Sequence, residues 1–295
     1  MLVEEVVEAS SEKSTLLRST NGRSSLRQLA GMRILVVEDN LINQQVADEL
    51  LTAEGAIVSL AANGQLAVEA VASAAPQFDA ILMDIQMPVL DGYSATKIIR
   101  EELELKELPI IAMSANVMAS DREACLAAGM NDHVGKPFDI SNLVSILIRN
   151  DKHRSAENEW IDPRPTADQR LVLEDIPGLD MRLALGRMSG NRALYTRTAQ
   201  DFIRILDSLI PELKQKHSSG DSQQVIMRLH TLKGNAGTLG ASQLAAQAAE
   251  LEIQYKSNNW IPDFGGRMDE LAPVIKTTKA KLLDAIHSLL SPNAP

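Results

Sequence analysis

His230 opens the run His230-Thr231-Leu232-Lys233-Gly234-Asn235-Ala236-Gly237. On a helix, His230, Lys233, Gly234 and Gly237 fall at i, i+3, i+4 and i+7 and share one flank. An imidazole is a nitrogen nucleophile. The ammonium one turn on would meet the oxygens of an incoming anion and would disfavour imidazolium, keeping a lone pair free. Each glycine inside a helix costs about 1 kcal/mol relative to alanine, and close approach of another surface would account for two of them. These residues suit acceptance of a phosphoryl group. A second set lies upstream: Glu38-Asp39, Asp84 within Leu82-Met83-Asp84-Ile85-Gln86-Met87-Pro88, Ser114 and Lys136. Crowded carboxylates repel one another and invite a hard cation such as Mg²⁺, which takes a few carboxylates with waters and phosphate oxygens. A hydroxyl and an ammonium beside them suit the remaining phosphoryl oxygens. Together the two sets point to phosphate moving from Asp84 to His230.

Elements must bring these residues together. From Arg33 onward, short apolar runs alternate with amphipathic stretches. The runs at 34–37, 57–60, 80–83, 109–112 and 133–135 predict strands. The stretch 41–54 ends at Gly55, 65–74 stops before Pro76, and Ser120 with Glu123 forms a capping box for a helix ending at Gly129. Such alternation predicts an α/β fold, a doubly wound five-stranded parallel sheet with helices on both faces. Ligands in such sheets gather at the carboxyl ends of the strands. Glu38 and Asp39 follow the first run, Asp84 the third, Ser114 the fourth and Lys136 the fifth, so all five fall at one rim.

From 179 onward strand signals stop. Long helical patterns are broken at Ser189-Gly190, Ser218-Ser219-Gly220, Gly240 and 258–266, which predicts an all-α helical bundle. On its helix at 222–239, Val225, Leu229, Leu232, Ala236 and Leu239 make the buried stripe and leave His230 on an outward, exposed flank. The predicted organisation is a polar, Ser-rich tether at 1–31 with a possible short helix at 2–9, a globular unit at 32–150, a charged, Pro-containing linker at 151–175, the bundle at 176–290, and a tail at 291–295.

The 295 residues are 45% hydrophobic with a mean hydropathy of −0.08, which suits two globular units. The net charge of −10 belongs to one of them: residues 32–150 carry 7 Lys and Arg against 17 Asp and Glu, while the flanking regions balance. That distribution offers no footprint for direct nucleic-acid binding. Glu4, Glu5 and Glu8 stand where a signal peptide needs a basic start, and no apolar run suits membrane insertion, so the expected location is cytoplasmic. Cys125, the single cysteine, sits in a helical run and is expected in the core. No glycine-rich phosphate loop is present, so the chain is not expected to phosphorylate itself from ATP.

Glu38-Asp39, Asp84, Asp91-Gly92, Ser114 and Gly135-Lys136-Pro137-Phe138 together resemble the receiver domain of two-component signalling, a flavodoxin-like fold, over about 32–150. The resemblance implies that Asp84 accepts a phosphoryl group. It implies that Glu38, Asp39 and Asp84 hold Mg²⁺ with the backbone carbonyl of Gln86, and that Ser114 and Lys136 contact the phosphoryl group. His133, three residues before Lys136, stands where many receivers carry Tyr or Phe and is expected to be a half-buried strand residue. The run at His230, preceded by Ile176-Pro177-Gly178-Leu179-Asp180 and Asn191-Arg192-Ala193-Leu194-Tyr195, resembles the histidine phosphotransfer (HPt) domain over about 176–290, as in the C-terminal part of hybrid sensor histidine kinases. By that resemblance His230 is the phosphoacceptor with Lys233 beside it, an upstream sensor histidine kinase is the donor, and a downstream response regulator receiver is the acceptor. His153, His217 and His287 lack such neighbours and are expected to be ordinary surface residues. The alternative is a phosphorylation-dependent binding module whose bundle is a docking or dimerisation surface. A haloacid-type phosphatase is disfavoured because Gln86 stands where that chemistry wants a second carboxylate.

Overall fold

The computed structural model describes residues 27–114, 119–151, 176–258 and 260–290. The expected helix at 2–9, nearly all of the tether and linker, the tail, His153 and the Ser120 side chain lie outside the described residues. The first unit runs β1 (Arg33–Val37), α1 (Leu41–Ala53), β2 (Ile57–Ala61), α2 (Gly64–Ser73), β3 (Ala80–Asp84), α3 (Gly92–Glu101), β4 (Ile110–Ser114), α4 (Ala119–Ala127), β5 (Asp132–Gly135) and α5 (Ile140–Asn150). All strand pairs are parallel, in the order β2-β1-β3-β4-β5. The order reverses at β1 and β3, whose carboxyl ends carry Glu38-Asp39 and Asp84.

Strand period and sheet position explain the core. Ile34, Val36, Ala80 and Leu82 face one apolar layer, while Leu35, Val37, Ile81 and Met83 face the other. Helix starts are set by side-chain caps: Asn40 accepts from the Ile42 amide, Asn63 from Leu66, Asp91 from Ser94, and Asp139 from Ser141 and Asn142. Cys125 is buried in the second layer, as expected.

Among the described residues the named elements of the second unit are all helices: α6 (Met181–Arg187), α7 (Arg192–Ser218), α8 (Ser222–Thr238), α9 (Ser242–Asn258) and α10 (Phe264–Leu290). Its breaks fall where glycine takes up left-handed backbone, at Gly190, Gly220 and Gly240. The core of the bundle is continuous with the α1/α5 layer of the sheet, and α1 packs on α7 and α8.

Gly92 is where this packing is tightest at the strand ends. A Cβ there would stand 2.2 Å from the Asp84 carbonyl oxygen, which is backbone and cannot turn away. Gly92→Ala is expected to destabilise the first unit by about 2–3 kcal/mol, a typical overpacking cost, read as a lower denaturant midpoint. An unchanged midpoint would mean that the β3–α3 turn is not held against Asp84.

Candidate functional site

The five polar residues predicted at one rim are brought together there. Glu38 follows β1 and is 2% exposed, Asp84 ends β3 and is also 2% exposed, and Ser114 ends β4, buried. One carboxylate oxygen from each of Glu38, Asp39 and Asp84 lies within 4.8 Å of the others. Lys136 threads in behind them: its Nζ lies 2.5 Å from Glu38 Oε2 and 2.7 Å from Asp84 Oδ2. The Asp84 contact is an ion pair, so the Lys136 ammonium offsets part of the charge on Oδ2. Asp84 Oδ1 accepts from the Gln86 amide at 3.3 Å.

Burial pushes the Glu38 carboxyl up to about 7; the Asp84 charge adds to this, and Lys136 opposes it. Burial also raises Asp39, again with Asp84 contributing. For Lys136, burial acts downward, but the Asp84 and Glu38 carboxylates outweigh it and hold the ammonium above the ordinary lysine range. The site is therefore a buried acidic cluster whose repulsion one lysine only partly offsets. Carboxylate oxygens from three residues, all within 4.8 Å of one another, form a donor set that fits a hard divalent cation.

His230 sits on α8 with Val225, Leu229, Leu232 and Ala236 buried beneath it, as the stripe predicts. Its expected exposure is not observed. The imidazole is only 13% exposed, because the first unit docks over it. Asp84, Gln86, Ser114, His230, Lys233, Glu252 and Lys256 line one cavity of about 510 Å³ between the units. A second cavity of about 200 Å³ lies alongside, bounded by Asp39, Lys136, His230, Lys233 and Gly234.

Directed contacts set the docking. The Asn40 amide, already capping α1 through its oxygen, donates from Nδ2 to Asn235 Oδ1 at 2.5 Å, and both residues are buried. Arg197 on α7 meets both carboxylate oxygens of Glu49 on α1 at 2.6 Å. The two glycines of the run face this contact: an added Cβ at Gly234 would have Asn43 Nδ2 at 3.7 Å, and one at Gly237 would have Pro137 at 4.0 Å. Alanine fits at either position; a longer side chain does not. Gly234→Leu is expected to separate the units, measured as a rise in the radius of gyration by small-angle scattering. An unchanged radius would place the docking face elsewhere.

Two residues around His230 escaped the sequence reading. Glu252 on α9 is 2% exposed, and its Oε1 pairs with His230 Nδ1 at 2.9 Å. Its Oε2 accepts from Lys233 Nζ at 2.6 Å, and Oε1 also accepts from Lys256 Nζ at 2.7 Å. Burial alone would raise this carboxyl, but bonds to His230, Lys233 and Lys256 prevail and hold it well below the usual carboxylate range. An ionised Glu252 can only accept, so Nδ1 carries a proton and Nε2 is left as the nitrogen available for attack. Lys233, expected to face an incoming anion, is held on Glu252. The signal that could have revealed Glu252 is its position: Leu244, Ala248, Leu251 and Tyr255 form the buried stripe of α9, and Glu252 lies four residues after Ala248.

Of the other histidines, His133 is half-buried on β5, as expected. His217 departs from an ordinary surface residue: it stacks between Trp260 and Phe264 at ring separations of 3.8 and 4.3 Å and bonds the Tyr255 hydroxyl. It lines neither cavity between the units.

Fold and site define a receiver-type carboxylate centre facing a histidine-bearing helical bundle. Comparison with known proteins agrees: residues 34–148 match the response regulator receiver domain, and residues 195–289 match the Hpt domain. The chain thus carries a response regulator receiver domain followed by an Hpt domain. It is 30% identical over 244 residues to the signal transduction histidine-protein kinase BarA of Shigella flexneri, covering 81% of this chain and 26% of that one. It is 31% identical over 235 residues to the sensor protein GacS of Pseudomonas syringae pv. syringae, covering 77% and 25%. It therefore spans about a quarter of the length of these curated relatives. Among solved structures, the receiver domain of sensor histidine kinase PA1611 from Pseudomonas aeruginosa PAO1, crystallised with a magnesium ion in its active-site cleft, is 49% identical, covering 41% of this chain and 97% of that one with a TM-score of 0.38. No helix among the described residues is long and apolar enough to cross a membrane.

Proposed function

We propose that this chain carries phosphoryl groups in a phosphorelay: Asp84 takes one from the phosphohistidine of a sensor kinase, His230 takes it from Asp84, and a separate response regulator receiver takes it from His230. The observation that carries this reading is that Asp84 and His230 line one cavity within a single chain. Glu38, Asp39, Asp84 and the backbone carbonyl of Gln86 are the groups that would hold Mg²⁺. When bound, the ion supplies positive charge to phosphoryl oxygens and relieves the repulsion among the three carboxylates. Ser114 and Lys136 contact the acyl phosphate of Asp84. Phosphoryl transfer has a loose transition state, so the protein mainly positions the two acceptors in line and balances charge. Glu252 keeps the proton on Nδ1 of His230 so that Nε2 attacks. The cytoplasm is the compartment proposed for this relay, because the phosphoryl groups originate from ATP.

Loading the chain with a labelled small phosphodonor and Mg²⁺, then separating acid-stable from acid-labile label, tests this reading. Label is expected first on Asp84 and then on His230. Asp84→Asn is expected to remove both, and His230→Gln only the second. Label persisting in Asp84→Asn would sink the assignment, while label confined to Asp84 would favour the binding-module alternative. The metal assignment has its own readout. Millimolar Mg²⁺ is expected to raise the melting temperature of the wild-type chain, with a much smaller rise in Asp84→Asn. Equal rises would place the ion elsewhere.

A further inference from the structure

Lys256 belongs to neither recognised run, yet it touches both walls of the cavity between Asp84 and His230. From α9 its Nζ lies 2.7 Å from Glu252 Oε1, and across the interface it reaches Gln86 Oε1 at 3.2 Å, two residues beyond Asp84. Its partner atom on Glu252 is shared, because Oε1 also serves His230 Nδ1, while Lys233 has Oε2. We infer that Lys256 is a further phosphoryl-contacting residue of the transfer, held on Glu252 at rest and released to the phosphoryl group as it crosses between the domains.

The inference rests on the Asp84-to-His230 transfer proposed above, and the chemistry of that step supplies the release. The P–O bond to Asp84 breaks with its electron pair left on the carboxylate, and the Nε2 lone pair forms the P–N bond. The ring keeps its Nδ1 proton and becomes cationic, so Nδ1–H becomes a stronger donor and claims Glu252 Oε1 more fully. Lys256 loses the competition for that oxygen just as three phosphoryl oxygens enter the cavity. Charge in a loose transition state spreads over those oxygens, and a cation placed beside them acts where charge develops. Gln86 marks where the ammonium goes, since its side chain already holds Lys256 next to the Asp84 loop.

Single-turnover transfer in the full-length chain, started from Asp84-loaded protein, tests this. Lys256→Gln is expected to slow the appearance of label on His230 roughly tenfold, less than the roughly hundred- to thousandfold of an enclosed transition-state donor because the lysine is part-exposed. Lys256→Arg, which keeps charge and reach, is expected to stay within about threefold of wild type. The ¹⁵N signal of the His230 Nδ1–H bond is expected to persist in Lys256→Gln, which separates direct contact from an effect transmitted through Glu252. Wild-type speed in Lys256→Gln, or loss of that ¹⁵N signal, would overturn the role given to Lys256. A wild-type chain that passes no label to His230 would instead overturn the relay reading on which the inference stands.

Discussion

Transfer from Asp84 to His230 is expected to run at a rate that does not change when the full-length protein is diluted. The two residues line one cavity, and the receiver and Hpt domains meet through a buried Asn40–Asn235 hydrogen bond and the two-oxygen contact of Arg197 with Glu49. Tethering of this kind corresponds to an effective concentration of roughly millimolar. A mixture of Asp84→Asn and His230→Gln chains can react only between molecules. At micromolar protein it should therefore lag the wild type by about a thousandfold. The gap should narrow in proportion as protein concentration rises. Slowing of the wild type in step with the mixture would show that exchange is intermolecular and that the Hpt domain serves a receiver on another chain. The Arg197–Glu49 pair offers an internal control. It is half-exposed, so it contributes less than about 1 kcal/mol. Arg197→Glu should slow the intramolecular rate severalfold, and adding Glu49→Arg should restore it.

Apart from removal of the acceptor His230 itself, Glu252→Ala should cause the largest loss from a single side chain in the Hpt domain. It leaves His230 Nδ1, Lys233 and Lys256 without the carboxylate that gathers them. Breaking a buried charged pair costs about 3–5 kcal/mol, and the lower end applies here because both lysines can turn toward solvent. Transfer should fall about a hundredfold, because the nucleophile loses the bond that selects its tautomer and holds its ring. Glu252→Gln keeps an acceptor for Nδ1–H but loses the charge, so it should retain much of the rate. The stability difference between wild type and Glu252→Gln should also depend on pH. In the folded chain this carboxyl is held below the 4.5 of an unperturbed glutamate. The stabilisation is therefore complete above about pH 5 and fades as pH falls through the unfolded-chain value toward the lower folded one. Urea midpoints of the two proteins should differ at pH 6 and converge toward pH 3. A difference that holds constant across that range would mean that Glu252 contributes packing rather than charge.

Much of this molecule was legible in its sequence, for reasons that are local. Alternation at 34–37 and 80–83 marks strands because successive side chains face opposite layers, and Ile34 and Leu35 do so here. Asn40, Asp91 and Asp139 cap helices through amides two or three residues away. Carboxylates placed just after strands must gather at one rim once the strands are parallel, so Glu38, Asp39 and Asp84 were predictable as a cluster. The flank shared by His230, Lys233, Gly234 and Gly237 follows from helix period alone. Tertiary structure decided the rest. Glu252 and Lys256 lie 22 and 26 residues beyond His230, on a different helix, and only the packing of α9 against α8 brings them to its ring. In sequence Lys256 looks like any lysine at i+4 from a carboxylate, and Glu252 is marked only by its place along the buried stripe of α9. Lys136 meets Glu38 across 98 residues, and Arg197 meets Glu49 across 148. The enclosure of His230 also belongs to tertiary structure, because periodicity distinguishes the stripe that packs within a helix's own bundle from the opposite face and says nothing about a second domain resting on that face.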